Sequence, residues 1–152
     1  MNLKVNVPKV SVLFASVLLV VILFSVSAES ALTLRDRGDV VWYGYDGNDY
    51  EIFLYSKGTV TQITDNNYDD WGPLINSKGQ VVWNGSDGND LEIFLYSKGA
   101  VTQITNNDYD DSNPQINSKG QIVWSGSDGH DSEICFYSKG VVTQLTNNDY
   151  DD

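Results

Sequence analysis

Three short acidic turns are the residues of this sequence best suited to chemistry. The first reads Asp46-Gly47-Asn48-Asp49, followed by Glu51, and its copies are Asp87-Gly88-Asn89-Asp90 with Glu92 and Asp128-Gly129-His130-Asp131 with Glu133. Calcium takes six to eight oxygen ligands, which clustered carboxylates supply. However, the spacing is not that of a twelve-residue calcium loop, and these residues are also ordinary turn formers. We therefore assign no metal ligands and expect no cofactor, with calcium at these turns as the alternative.

A second acidic cluster recurs further along the chain, at residues 66–70, 106–111 and 147–152. Repeated carboxylates focus a negative field, which attracts a cationic partner or a divalent ion. The alternative is a solvated, charged loop. The candidate partner-binding residues are Asp69, Asp70, Asp108, Asp110, Asp111, Asp149, Asp151 and Asp152.

No group of residues suggests catalysis. The sequence lacks a G-x-S-x-G nucleophile elbow, a phosphate-cradling loop and an isolated pair of carboxylates in unequal surroundings. The single histidine, His130, occupies the place of Asn48 and Asn89 in its turn, and the single cysteine, Cys135, replaces a phenylalanine. We expect His130 to be a turn residue and Cys135 to be a buried apolar residue. The sequence thus predicts a protein that is not an enzyme.

The acidic turns belong to an internal repeat. Trp42, Trp83 and Trp124 are spaced 41 residues apart, and residues 73–111 match residues 114–152 at 30 of 39 positions. The three repeats occupy residues 32–72, 73–113 and 114–152, and the first of them has an atypical opening. A fixed period of about 40 residues is typical of β-propellers.

Each repeat has the pattern of four short strands. In the middle copy we expect strands at 74–76, 80–84, 92–96 and 101–105, separated by turns that contain glycine. The third strand is apolar on both faces and needs cover on both sides. Such repeats form propeller blades, in which neighbouring blades bury each other's faces. We expect the tryptophan to pack against the next blade; an open β-solenoid or a sandwich of hairpins is the alternative.

The repeat resembles the TolB-type propeller repeat. Asn76-Ser77-Lys78-Gly79 stands for the Ser-Pro-Asp-Gly-like turn of that family, Glu92-Ile93 for its Glu-Ile, and Ile104-Thr105 for its closing Leu-Thr; the resemblance covers residues 32–152. It implies an all-β fold of three four-stranded antiparallel blades, half of a six-bladed propeller. It also implies a non-catalytic module that binds or scaffolds proteins, although such families include propeller domains that gate peptidases.

An open fan of three blades exposes two apolar faces, which favours aggregation unless something covers them. Two chains that join head to tail form a six-bladed ring with twofold symmetry, so a homodimer is one prediction. The other is a fragment of a larger propeller-containing protein. We expect a protein partner, and a lectin-like propeller that binds glycans at several sites is the alternative.

The first 28 residues differ from the repeats. Lys4 and Lys9 precede 19 uncharged residues that end in Val26-Ser27-Ala28, the order of a secretory signal peptide. Cleavage there leaves residues 29–152 as a domain without a membrane span, and an uncleaved N-terminal anchor is the alternative. Both predict a secreted, periplasmic or cell-surface protein.

The charge of the chain excludes one class of partner. With 9 basic and 21 acidic residues the net charge is −12, so a nucleic acid backbone would be repelled rather than bound. A single cysteine also excludes a disulfide-rich scaffold.

Overall fold

Twelve β-strands account for the described part of the chain. A computed structural model describes residues 33–34 and 38–152, and the predicted signal segment lies outside them. The strands are β1 (Thr33–Leu34), β2 (Val40–Tyr45), β3 (Tyr50–Ser56), β4 (Thr59–Gln62), β5 (Asp70–Ile75), β6 (Val81–Ser86), β7 (Leu91–Ser97), β8 (Ala100–Gln103), β9 (Asp111–Ile116), β10 (Ile122–Ser127), β11 (Ser132–Ser138) and β12 (Val141–Gln144). Over these residues there is no helix that could cross a membrane.

The strands form three four-stranded antiparallel sheets, in the orders β1-β2-β3-β4, β5-β6-β7-β8 and β9-β10-β11-β12. The first strands of successive sheets contact each other, so they lie on the inside of the fan. The fourth strands are exposed along their whole length and form the outer edge. Each sheet is one propeller blade, which confirms the predicted all-β architecture.

The first strand of the second and third blades begins earlier than the sequence pattern predicts. β5 begins at Asp70 and β9 at Asp111, so the last residues of one sequence repeat start the next blade. The pairing of each strand with its neighbour is interrupted by a bulge, where Gly72 has a φ of 63° and Asn113 a φ of 56°. Glycine and asparagine adopt this left-handed conformation with the least strain, and the bulge bends the inner strand.

Two-residue turns join the third and fourth strands of every blade. Lys57, Lys98 and Lys139 have φ values of 52°, 55° and 54°, and the glycine that follows each has a φ of 85° or 86°. These are the φ values of a type I′ turn, whose twist matches that of the flanking strands. The sequence predicts positive φ at glycine, asparagine and aspartate, whereas lysine is disfavoured there because of its β-carbon.

The apolar cores lie between the blades. The core between the first two blades consists of Val41, Ile52, Ile75, Val81 and Trp83, all of them buried. The core between the second and third blades consists of Val82, Ile93, Leu95, Ile122 and Trp124. The middle blade therefore buries both of its faces, as the apolar pattern of its third strand predicts.

The tryptophans pack against the preceding blade, and the prediction that they face the next blade is wrong. Trp83 lies in the core shared with the first blade, and Trp124 lies in the core shared with the second. Successive residues of a strand point to opposite faces, so Trp83 and Val82 meet different neighbours. The sequence shows this alternation, but it does not show which face meets which neighbour.

None of the described residues covers one face of the third blade. Val123 stands where Val82 stands in the middle blade, and Leu145 stands where Ile104 does. Val82 is 0% exposed, whereas Val123 is 38% and Leu145 56% exposed. The face that the middle blade buries against its neighbour is therefore open on the third blade.

Charge is separated between the two ends of the blades. The turns after β2, β6 and β10 and the connections between blades share one end, because alternate turns of antiparallel strands lie on the same side. All five lysines of residues 38–152 lie at the opposite end, together with one acid, Asp39. Every other acid of these residues lies at the first end, which we call the acidic end.

Candidate functional site

Three clusters of carboxylates, one on each blade, lie at the acidic end. Each cluster, which we call an acidic trio, combines two aspartates from the turn after the second strand with a glutamate of the third strand. One oxygen from each residue lies within 4.8 Å of the oxygens from the other two. The trios are Asp46, Asp49 and Glu51; Asp87, Asp90 and Glu92; and Asp128, Asp131 and Glu133.

A hydrogen bond within the turn, from a backbone N–H to the first aspartate, fixes the turn that carries the two aspartates. In the first blade the N–H of Asn48 donates to Asp46 Oδ1 at 2.8 Å, and Gly47 has a φ of 120°, which favours glycine. Asn89 and His130 make the equivalent bond at 3.0 Å. His130 is therefore a turn residue, as predicted, and the turn brings the second aspartate back beside the first.

The glutamate of each trio is fully buried. Glu51, Glu92 and Glu133 are each 0% exposed. The Oε1 atom accepts a backbone N–H from an asparagine of the following connection at 2.7 or 2.8 Å, whereas the Oε2 atom has no hydrogen-bond partner. Burial raises the pKa of Glu51 and Glu92 above the ordinary value of a glutamate. A buried carboxylate oxygen without a partner is costly in free energy, so its presence in all three blades requires an explanation.

Aspartate oxygens of the trios lack partners as well. Asp49 is 8% exposed and its Oδ1 has no partner, the Oδ1 of Asp131 has none, and neither oxygen of Asp90 has one. Burial raises the pKa of Asp90 and Asp131, and the neighbouring carboxylates raise it further. Each trio thus brings a fully buried glutamate together with two aspartates that lie nearer the surface.

A chain of hydrogen bonds connects each of the first two trios to the next blade. The side-chain amide of Asn66, whose backbone N–H binds Glu51, donates to Asp70 Oδ2 at 2.8 Å. Asp70 is 2% exposed, and its Oδ1 accepts the indole N–H of Trp83 at 2.8 Å. Burial raises the pKa of Asp70, although both of these bonds oppose the shift. The same chain recurs at the next junction through Asn107, Asp111 and Trp124.

Asp70 and Asp111 fill the space above two glycines of the second strands, Gly85 and Gly126. A β-carbon at Gly85 would collide with Asp70 Oδ1, and one at Gly126 would collide with Asp111 Oδ1. The glycine in the second strand is therefore required by the close approach of the carboxylate, which cannot move without losing its tryptophan partner.

The eight aspartates predicted to bind a partner have different surroundings. Asp70 and Asp111 are buried in the blade junctions, at 2% and 3% exposed. The second group accepts the N–H of the first residue of the third strand at 2.9 to 3.0 Å and consists of Asp69, Asp110 and Asp151. The remaining three, Asp108, Asp149 and Asp152, are exposed at the acidic end.

Comparisons with known proteins agree with the blade architecture. No family model matches the sequence, and no curated protein matches it. Among solved structures, the chain is similar to putative TolB from Agrobacterium tumefaciens, with a TM-score of 0.63, 19% identity, and coverage of 77% of this chain and 49% of that one. TolB from Acinetobacter baumannii gives a TM-score of 0.60 and 16% identity over 78% of this chain and 32% of that one. The fold is that of TolB-like propeller blades.

The chain also matches part of a larger protein. Dipeptidyl peptidase 4 from Porphyromonas gingivalis gives a TM-score of 0.65 and 15% identity, over 79% of this chain and 20% of that one. The chain thus spans from a fifth to about half of the length of these three structures. At such identities the similarity establishes the fold.

Proposed function

We propose that this protein is a non-catalytic, exported TolB-like propeller module that binds protein, and that one partner is a second copy of the same chain. The observation that carries the proposal is the uncovered face of the third blade, where Val123 and Leu145 are exposed. The middle blade buries the same face against its neighbour, so the third blade has a surface built to receive a blade.

The first blade carries a surface that fits this face. Trp42 stacks on Phe53 with ring centroids 5.6 Å apart and planes at 15°, and Trp83 stacks on Phe94 at 5.8 Å and 15°. In the middle blade this tryptophan packs against the preceding blade. Head-to-tail pairing of two chains therefore repeats an interface that each chain already makes twice, and two such contacts close a six-bladed ring.

The acidic end is the second surface of the proposed module. A twofold axis along the ring axis keeps the acidic ends of both chains on one side. The ring then presents one negative mouth and one lysine-lined mouth, and the negative mouth attracts a cationic protein. The non-catalytic character rests on the sequence, which lacks a nucleophile elbow and a phosphate-cradling loop.

The absolute mass of the purified protein, measured by light scattering after size exclusion, tests the proposal. We expect a dimer. Leu145→Asp places a charge on the uncovered face and should give a monomer. Val101→Asp is the matched control, because Val101 is also exposed but lies in the outer strand of the middle blade, and it should leave the dimer intact.

Two results would contradict ring closure. One is a wild-type monomer that binds a hydrophobic dye, which would mean that the open faces receive something other than a second copy, such as further blades of a longer protein. The other is a dimer that Leu145→Asp leaves unchanged, which would place the contact elsewhere on the chain.

Glycan binding is the second candidate function, and a repeated tyrosine favours it. Tyr68, Tyr109 and Tyr150 are exposed at equivalent positions of the acidic end. Aromatic side chains combine an apolar ring with a polar tip and can cover a sugar ring. A glycan array probed with the purified protein tests this role, and the absence of any bound sugar would remove it.

A further inference from the structure

The negative charge of the acidic trios is not neutralised by any lysine of residues 38–152. All five of these lysines lie at the opposite end of the blades. The one histidine, His130, is an exposed turn residue of the third blade only. Nevertheless each trio brings three carboxylates together, and a group of this kind is stable only when a cation or protons offset the repulsion.

The oxygens without hydrogen-bond partners point to a ligand. In the middle blade, Glu92 Oε2 and both oxygens of Asp90 are buried and accept no hydrogen bond. The oxygen that Asp90 contributes to the cluster therefore has no hydrogen-bond partner. In the first blade, Oε2 of Glu51 and Oδ1 of Asp49 are also buried and accept no hydrogen bond, and both residues are more than nine-tenths buried. Buried polar atoms without partners in a folded protein commonly mark the place of an ion or a water molecule.

The ligand set of each trio fits calcium. One oxygen from each of the three carboxylates lies within 4.8 Å of the other two, so a single ion can contact all three. Magnesium is usually held by one or two carboxylates and several waters, whereas calcium takes more carboxylate oxygens in a flexible arrangement. Three carboxylates supply three to six oxygens, and water and backbone carbonyls usually complete the six to eight that calcium takes.

We propose that each acidic trio binds one calcium ion, so that the chain binds three. The ions would bring six positive charges to a chain whose net charge is −12. Each ion would tie the turn to the third strand, and through the bond from Asn66 to Glu51 it would also support the connection to the next blade. The proposal rests on the trios alone and does not depend on dimerisation.

Calcium titration of the purified protein, stripped with a chelator and followed by isothermal calorimetry, tests the proposal. We expect three ions per chain. Glu92→Gln keeps the size of the side chain but removes its charge, and it should reduce the stoichiometry to two. Asp65→Asn is the matched control: Asp65 is exposed in a connection outside the trios, and the same loss of charge there should leave three ions bound.

The third blade supplies a second variant. If Glu92→Gln disturbs folding, as judged by circular dichroism, Glu133→Gln makes the same change in a blade with only one neighbour and should also leave two ions. The absence of saturable binding at millimolar calcium would overturn the proposal. So would three ions in both glutamine variants, or an equal loss of binding in Asp65→Asn, because binding would then reflect overall charge.

Discussion

The bond between Trp83 and Asp70 should contribute strongly to the docking of neighbouring blades. Trp83 is fully buried, and its indole N–H donates at 2.8 Å to a carboxylate that is 2% exposed. Trp83→Phe removes the donor, and water cannot easily replace it. A hydrogen bond to a charged group contributes about 1.5–3 kcal/mol, and the smaller ring loses about 1 kcal/mol of buried apolar surface. We therefore expect the free energy of unfolding to fall by about 2.5–4 kcal/mol.

Urea unfolding followed by far-ultraviolet circular dichroism measures this loss without relying on tryptophan fluorescence. The control is Trp71→Phe, because Trp71 is exposed and its replacement should change stability by less than about 0.5 kcal/mol. Trp124→Phe provides a second measurement of the same bond, whose length at the next junction is 2.7 Å. If Trp83→Phe costs no more than Trp71→Phe, the indole–carboxylate bond does not hold the blades together and the reasoning is refuted.

Two further predictions concern the turns and the N-terminus. Asparagine in place of Lys57, Lys98 or Lys139 should stabilise the protein by about 0.5–1 kcal/mol per turn in the same urea assay, because asparagine tolerates a positive φ better than lysine. Lys119→Asn is the control, since Lys119 has no positive φ, and an equal gain there would contradict the explanation. If the proposed signal peptide is cleaved, the protein should begin at Glu29 on N-terminal sequencing, and a protein that retains residues 1–28 would support the anchor instead.

The blade architecture could be predicted because several features recur at the same positions of every repeat. The period of 41 residues, the glycines in the turns and the two apolar faces of the third strand all indicate the same blade. The details that the sequence does not show depend on neighbouring strands. The bulge at Gly72 and Asn113 adds residues to the inner strand, and the direction in which Trp83 packs depends on how one blade is placed beside the next.

The position of the trio glutamates is the part of the site that could be predicted from nearby residues. Once a hairpin turn is placed at residues 46–49, the register sets Glu51 opposite Gly44, and the same pairing joins Glu92 to Gly85. The position of the glutamate beside the turn therefore follows from the sequence and the turn together.

The rest of the site depends on a contact that is distant in sequence. The backbone N–H that binds Glu51 Oε1 belongs to Asn66, fifteen residues later, and Asn66 also binds the buried Asp70. No pattern within the turn indicates that a connection will fold over it and bind its glutamate. The aspartates of an ordinary hairpin turn are solvated and need no counter-ion. Here the turn aspartates lie beside a buried glutamate, and several oxygens of each trio are buried without a hydrogen-bond partner, which is why we propose a ligand that the sequence alone did not favour.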